Sequence, residues 1–342
     1  MAKYRAAVIG CGGIARAHMV GYGLVPEIEV VAGADPFPEA RAKWEEQFPG
    51  CKAYADAQEM LAAERPEIVS ICTWPGLHGA QCVLAAEAGA KGIVCEKPFD
   101  LTLPTADAAL EACRRNGTKL VVGHQRRFYP HVNEAREALR AGAIGQLVSI
   151  TSQCMGDLYT DATHSIDLIR YFMDDEPVDW VLGQVARYSD KHRFGHDVED
   201  ASLLHLQFQS GVKGLVMAGD VVDRGIYQFV LLQGTEGRIE VGGDREQWWR
   251  MMNADAAGWQ HHDPADDRRE QIDACFGGEI AELVEWIEGG PGHRLNGDSA
   301  RDTLEIIIAA FESSRRRAKI ALPLDRVDGN PLDAMIASGA FN

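Results

Sequence analysis

Lys97, His164 and Asp167 are the residues of this chain whose types and spacing suit proton transfer. His164 and Asp167 stand three apart in Tyr159-Thr160-Asp161-Ala162-Thr163-His164-Ser165-Ile166-Asp167, on one face of a helix. An imidazole that titrates near neutrality and is oriented by a carboxylate is a general base. The same spacing also suits a solvated surface pair, and Asp161 or Thr160 suits a helix cap. No third ligand lies at metal-binding spacing, so no metal is expected. Lys97 follows the apolar run Gly92–Cys95 in Glu96-Lys97-Pro98. At the carboxyl end of a parallel strand it would face the crevice where open α/β sheets bind ligands. As an isolated Lys-Pro it would be a surface residue ahead of a turn. The segment Cys72-Thr73-Trp74-Pro75-Gly76-Leu77-His78 follows another apolar run and is expected to face the same crevice.

A second kind of chemistry is written near the start. The apolar run Tyr4–Ile9 leads into Gly10-Cys11-Gly12-Gly13-Ile14-Ala15, which reads G-x-G-x-x-A. About twenty residues later the run Ile28–Ala34 ends in Asp35, the spacing of a dinucleotide-binding fingerprint. Gly10 allows the tight turn, Gly12 lets the backbone approach a pyrophosphate, and Ala15 permits close helix–strand packing. A helix starting at Gly13 offers free N–H groups and the positive end of its dipole to phosphates. Asp35 suits the adenosine ribose and repels a 2′-phosphate, so NAD (NADH) is expected in preference to NADP.

The elements that must position these groups follow from periodicity. Up to residue 123 the apolar runs Tyr4–Ile9, Ile28–Ala34, Ile68–Cys72, Gly92–Cys95 and Lys119–Val122 alternate with helical stretches such as Pro38–Phe48, Gly76–Ala88 and Leu103–Asn116. Apolar strands joined by helices predict a parallel, doubly wound sheet. From Gln146 onward strand-like segments follow one another: Leu147–Cys154, Val178–Tyr188, Ala201–Gln209, Val212–Gly219, Ile226–Gly234 and Arg238–Val241. They predict an antiparallel, meander-like sheet, closed by helices near Gln271–Glu288 and Ser299–Arg317. The expected domains are 1–123, binding the dinucleotide, and 124–342, binding substrate and forming the oligomer. Asp190–His196 and Asp255–Glu270 read as loops.

Composition bounds the partners. The 342 residues are 46% hydrophobic and 25% charged, as in soluble globular proteins. A net charge of −17 argues against nucleic acid and against anionic membrane surfaces. The eight cysteines form no CxxC pair, and several sit in apolar runs, as buried thiols do. With the first strand beginning at once and no room for a signal peptide, a reduced, cytoplasmic protein is expected.

These motifs together resemble the glucose–fructose oxidoreductase / inositol dehydrogenase (Gfo/Idh/MocA) family. Gly10 to Ala15 and Glu96-Lys97-Pro98 are similar to its cofactor loop and Lys-Pro motif, and Thr73 to His78 to its T-P-N-x-x-H loop. His124-Gln125-Arg126-Arg127-Phe128 resembles the segment that crosses between its domains. His164-Ser165-Ile166-Asp167 resembles its H-x-x-D helix start, and Val198-Glu199-Asp200 a strand signature. The resemblance runs to about Leu324. It implies an α/β fold: an N-terminal Rossmann domain and a C-terminal α+β domain with an open, mostly antiparallel sheet. Helices would cover one face of that sheet, and the other would form a homodimer or homotetramer.

Members mostly oxidise a secondary alcohol of a sugar or cyclitol with NAD(P), or run the reverse. The resemblance gives Lys97 the reacting hydroxyl and His164 the acid/base role, with Asp167 orienting substrate or His164 and Glu96 beside the nicotinamide ribose. It places Gly10, Gly12, Gly13, Ile14, Ala15, Asp35, Thr73, Trp74, Pro75, His78, Glu96, Lys97 and Gln125 at the cofactor. Lys97, Arg126, Tyr159, Asp161 and His164 fall at the substrate. Two departures stand out. Where many members carry Asp four residues before the helix-start His, this chain has Thr160, with the acid one step later at Asp161. Trp74-Pro75 replaces the common Pro-Asn.

The expected activity is an NAD-dependent sugar or cyclitol dehydrogenase. The alternatives are an NAD-dependent glycoside hydrolase on the same fold and a cofactor-sensing regulatory protein. The presence of both Lys97 and His164 speaks against the last.

Overall fold

The computed structural model describes residues 3–243, 248–262, 268–325 and 327–341. The chain forms two compact units: Met1–Gln125 with Arg269–Arg301, and Arg126–Arg268 with Asp302–Asn342.

The first unit alternates strand and helix: β1 (Tyr4–Ile9), α1 (Ala15–Gly23), β2 (Ile28–Ala34), α2 (Pro38–Gln47), β3 (Lys52–Tyr54), α3 (Ala57–Glu64), β4 (Ile68–Ile71), α4 (His78–Glu87), β5 (Gly92–Cys95), α5 (Leu103–Asn116) and β6 (Lys119–Val122). The strands form a parallel sheet in the order β3-β2-β1-β4-β5-β6. β4 and β5 are buried along their whole length, which is why they read as unbroken apolar runs. The strand order reverses between β1 and β4, so the loops after these two strands flank the switch point where such sheets bind ligands. β3 escaped the sequence reading because Lys52-Ala53-Tyr54 is a short, half-exposed edge. The first helix starts at Ala15 rather than Gly13, leaving Gly12 and Gly13 in the turn before it.

The second unit contains α6 (Pro130–Arg140), β7 (Leu147–Cys154), α7 (Ala162–Phe172), β8 (Val178–Ala186), β9 (His192–Arg193), β10 (His196–Asp197), β11 (Ala201–Phe208), β12 (Lys213–Gly219), β13 (Gln228–Gly234), β14 (Gly237–Gly243), β15 (Trp249–Asn253) and β16 (Gln260–His262). Beyond α8 (Arg268–Ile287) come α9 (Gly297–Arg316), β17 (Ile320–Ala321) and α10 (Pro331–Ala337). Its nine-stranded sheet runs β16-β15-β14-β13-β7-β12-β11-β8-β17, and only the β7–β12 pair is parallel. The strands alternate. In β11, Leu204, Leu206 and Phe208 are fully buried while Leu203 is 40% exposed. α7 covers the buried face. On α9, the backbone at Ala310 comes so close to β8 that a Cβ on Gly183 would lie 2.8 Å from its carbonyl oxygen.

Three expectations are corrected. A single cut at 123/124 assigns α8 to the wrong unit. Phe276 and Ile280 press into α1 at Gly21, where a Cβ would stand 2.8 Å from Phe276 Cβ, and Leu283 and Ile287 press onto Gly92. The Val122 N–H donates to Leu295 O at 3.0 Å, so the turn after α8 also belongs to the parallel sheet's unit. Asp190–His196 is not an open loop: β9 and β10 form a hairpin whose Phe194 and Gly195 both have positive φ, 46° and 80°, as a type I′ turn requires. Asp255–Glu270 is not one loop either. Residues 260–262 pair with β15, Trp259 lies beneath the guanidinium groups of Arg238 and Arg250, and His262 stacks on Trp249 at 3.9 Å. Residues 263–267 lie outside the described residues.

Candidate active site

The turn after β1 is built for close approach. Gly10 has φ +93°, and a Cβ there would stand 2.6 Å from the Cys72 carbonyl oxygen, so the position excludes other residues. At Gly12 and Gly13 a Cβ would meet nothing within 4 Å. Their backbone therefore faces open space ahead of α1, where Ile14 is the half-exposed cap residue and Ala15 the buried first residue. A cavity of ≈ 310 Å³ opens beside this turn, bordered by Arg16, Phe37 and Lys43. Asp35 is buried at the end of β2, its carboxylate accepting from the N–H groups of Cys11 and Phe37, both at 2.9 Å. Arg41 is turned to the backbone carbonyls of Asp35 and Pro36, at 2.8 and 3.0 Å, rather than to the carboxylate.

The loop after β4 supplies Thr73, exposed Trp74 and buried Pro75. Thr73 Oγ1 and Gln125 Oε1 are buried and have no hydrogen-bond partner among the described residues. Orphaned polar atoms in the loops after β4 and β6, with an open glycine turn after β1, fit a bound dinucleotide.

Glu96 and Lys97 follow β5. Glu96 is buried, and its Oε1 accepts from His18 Nε2 at 3.1 Å while its Oε2 accepts from the Lys97 N–H at 3.2 Å. His18 Nδ1 lies 2.9 Å from Ser70 Oγ, which lies 2.7 Å from the Tyr22 hydroxyl. With Nε2 protonated toward Glu96, this chain runs from Tyr22 through Ser70 to His18 with every group satisfied. Burial pushes the Glu96 carboxyl up, but the hydrogen bond and charge of His18, with Lys97 and His78, outweigh it and hold Glu96 below the usual range. Lys97 itself is half-buried. Nearby on α8, Glu279 is fully buried, and burial followed by the charge of Glu96 pushes it well up.

His78 is 1% exposed, with Nδ1 at 2.7 Å from Pro98 O and Nε2 at 3.0 Å from Thr73 O; kept toward its neutral form by burial, it donates to one of these carbonyls and packs against the other.

In the second unit α7 carries the His164 and Asp167 pair. Both are buried, which removes the solvated-pair reading. Asp167 Oδ2 and Oδ1 accept from Arg127 Nε and Nη2 at 2.9 and 2.8 Å, a two-pronged pair that fixes α7. Arg127 also binds Asp175 at 2.7 Å. Asp161 stands at the helix start, yet its side chain makes no capping bond; it pairs with Arg193. Thr160 does not cap either: its N–H and hydroxyl both donate to Asp157.

Tyr159 is fully buried, its ring tilted against Phe311 with centroids 5.3 Å apart, and its hydroxyl donates to Asn330 at 3.0 Å. Arg126 is buried with its guanidinium 5.2 Å from the Tyr227 ring, and its Nη1 has no hydrogen-bond partner among the described residues. The sequence reading missed His18, Ser70, Asp157 and Arg193. Only His18 left a local signal, one helical turn before Tyr22 on α1.

The family described as "Oxidoreductase family, NAD-binding Rossmann fold" matches residues 4–124, and the GFO/IDH/MocA C-terminal domain matches residues 132–240. Inositol 2-dehydrogenase of Rhizobium meliloti is 28% identical over 333 residues, spanning 93% of this chain and 99% of that protein. The scyllo-inositol 2-dehydrogenase (NAD(+)) of Bacillus subtilis is 27% identical, over 95% of this chain and 98% of its own. Among solved structures, levoglucosan dehydrogenase in complex with NADH superposes with a TM-score of 0.83 at 21% identity, over 94% of this chain and 100% of that one. The chain therefore belongs to the Gfo/Idh/MocA family of oxidoreductases, and its first unit is that family's NAD-binding Rossmann domain.

Proposed function

We propose that this protein is an NAD-dependent dehydrogenase that interconverts a secondary alcohol and ketone on a sugar or cyclitol. The observation that carries the reading is the pair after β5: Lys97, half-buried at the carboxyl end of a parallel strand, beside a Glu96 kept ionised by His18. NAD, when bound, supplies the hydride acceptor. Lys97 binds the reacting hydroxyl, and its charge opposes the negative charge developing on oxygen. His164 takes the hydroxyl proton and returns it in the reverse direction. Asp167, clamped by Arg127, holds α7 and so His164 in place. Arg126 turns its unsatisfied guanidinium edge to substrate oxygens, and Asp161, braced by Arg193, borders the same substrate.

The inositol dehydrogenases among the relatives support the substrate class. Asp35 supports NAD over NADP, because its carboxylate is not neutralised by Arg41. The apolar residues left on the open sheet face, Leu182, Leu203 and Leu215, support a homodimer or homotetramer, checked by light scattering at micromolar concentration. The reading is tested on a panel of polyols, sugars and keto-sugars followed by NADH absorbance in both directions. Turnover of a cyclitol or sugar is expected. Release of free sugar from an aryl glycoside without net NADH would move the protein to the NAD-dependent glycoside hydrolases.

A further inference from the structure

Glu199 has no part in the chemistry above, yet it is 3% exposed and holds the segment that leads into α7. Its Oε1 accepts from the Leu158 N–H at 2.6 Å and from the Ser202 hydroxyl at 3.1 Å. Its Oε2 is buried with no hydrogen-bond partner among the described residues, and the residue borders a cavity of ≈ 630 Å³. Asp157 borders the same cavity. Its carboxylate accepts from the Thr160 N–H at 2.8 Å, from the Thr160 hydroxyl, and from Arg193 Nη1 at 3.1 Å. Arg193 also pairs with Asp161, whose carbonyl accepts the His164 N–H at 3.2 Å. Glu199 therefore fastens residues 155–161 from outside through Leu158, while Asp157, within the segment, closes its turn through Thr160 and ties it to Arg193.

Their electrostatic settings differ. Asp157 has Arg193 bound to it, whereas no cation hydrogen-bonds to Glu199 among the described residues. The other charged groups on the cavity do not change this. Lys191 is bonded to Asp200 at 2.8 Å and reaches Asp220, and Arg224 is exposed to solvent. His196 on β10, edge-on to Tyr159, is kept toward its neutral form by burial. Burial first, and then the charge of Asp157, push the Glu199 carboxyl up to about 8. At neutral pH Glu199 is thus held toward its uncharged acid form beside Asp157.

We propose that Glu199 is a positioning residue for His164 and Asp161: as a neutral acid it fastens Leu158 alongside the Asp157 anchor, and its ionisation loosens residues 155–161. The inference rests on the acid/base role given to His164 under Proposed function. Ionised, Glu199 would place a buried charge with no cation bonded to it among the described residues, a state the segment relieves by opening to water.

Hydrogen–deuterium exchange of the peptide covering 155–165 tests this on the full chain without a substrate. After correction for intrinsic rates, wild-type protection is expected to fall about tenfold or more between pH 7 and pH 9. Glu199→Gln keeps the shape of the neutral acid, and its protection is expected to change less than about twofold over the same range. In turnover, the alkaline limb of kcat/KM is expected to shift up by about one pH unit or more in Glu199→Gln, with both enzymes agreeing within about twofold at pH 7. Exchange that is flat with pH in the wild type, or that follows the same trend in both proteins, overturns the proposal. So does an unmoved alkaline limb. If the wild type turns over no alcohol, the functional reading fails while the exchange comparison still decides whether Glu199 holds the segment.

Discussion

Glu96 in the first unit and Glu199 in the second are the same residue type at nearly the same depth, 5% and 3% exposed, and their carboxyl groups are shifted in opposite directions. Glu96 has a histidine nitrogen at 3.1 Å and is held below the usual carboxylate range; Glu199 is bonded to a backbone amide and a serine hydroxyl, with no cation hydrogen-bonded to it among the described residues, and faces an aspartate. Burial penalises charge in both places. The bonded donor decides the outcome: an imidazole that can share a proton keeps one glutamate ionised, and its absence leaves the other neutral. The glutamate held down stands beside Lys97. The glutamate pushed up holds the segment that leads to His164, through the Leu158 N–H.

The largest effects test whether these two regions serve one reaction. Lys97→Ala and His164→Ala are each expected to lower kcat by roughly 10²- to 10⁴-fold, with NADH affinity little changed. If they act on one hydroxyl, the double variant loses far less than the product of the two losses. Steady-state kinetics and NADH fluorescence titration measure both, and near-normal turnover of His164→Ala would leave the acid/base role to Lys97 alone.

Next come the two glutamates. Glu96→Gln is expected to destabilise the protein by about 1.5–3 kcal/mol at pH 7, since it removes a charge-assisted hydrogen bond in a buried site. Glu96 has a lowered pKa when folded, so this loss is present above the unfolded Glu value and disappears as pH falls through the folded value. His18→Leu is expected to cost about 1–3 kcal/mol by stripping Glu96 of its partner. Glu199 has the opposite sign. Its folded pKa of about 8 lies above the unfolded value, so its penalty grows as pH rises from the ordinary carboxylate range to 8. Glu199→Gln is therefore expected to gain on the wild type over that window, by ~3 kcal/mol at pH 7. Urea melts of the variants from pH 4 to 9 measure these differences, and parallel pH slopes for the two Gln variants would erase the contrast.

The smallest effect concerns Asp35. NAD is expected to exceed NADP in kcat/KM, and Asp35→Ser to narrow the gap by about tenfold, or ~1.4 kcal/mol. A wild-type preference for NADP would show that Asp35 does not face the ribose.

What the sequence revealed divides along the same line. The first unit's groups sit within a few residues of the ends of apolar runs, so Gly10, Asp35, Thr73 and Lys97 could be placed by counting along the chain. Even there His18 stayed hidden, since its partner Glu96 is 78 residues away. In the second unit the helix carrying His164 was readable from its spacing. The partners were not: Arg127, Arg193 and Glu199 reach α7 and the segment before it from separate elements, and sequence spacing carries no trace of such contacts. The protein partners of Tyr159 and His78, the Asn330 side chain and the carbonyls of Pro98 and Thr73, were equally invisible in the motifs that drew attention to them. The assignment of α8 failed for a related reason. A helix contiguous in sequence with the second sheet buries Phe276 and Ile280 against α1.

The central claim is hydride transfer between an alcohol carbon and the nicotinamide, assisted by Lys97 and His164. Its most direct measurement uses the polyol or sugar that turns over best, deuterated at the carbinol carbon, with NAD and wild-type enzyme. The account predicts NADH that carries the deuterium on its nicotinamide ring, formed at a rate that Lys97→Ala abolishes to within the factors given above. NADH without deuterium, or product formed with no change in the cofactor pool, would contradict it.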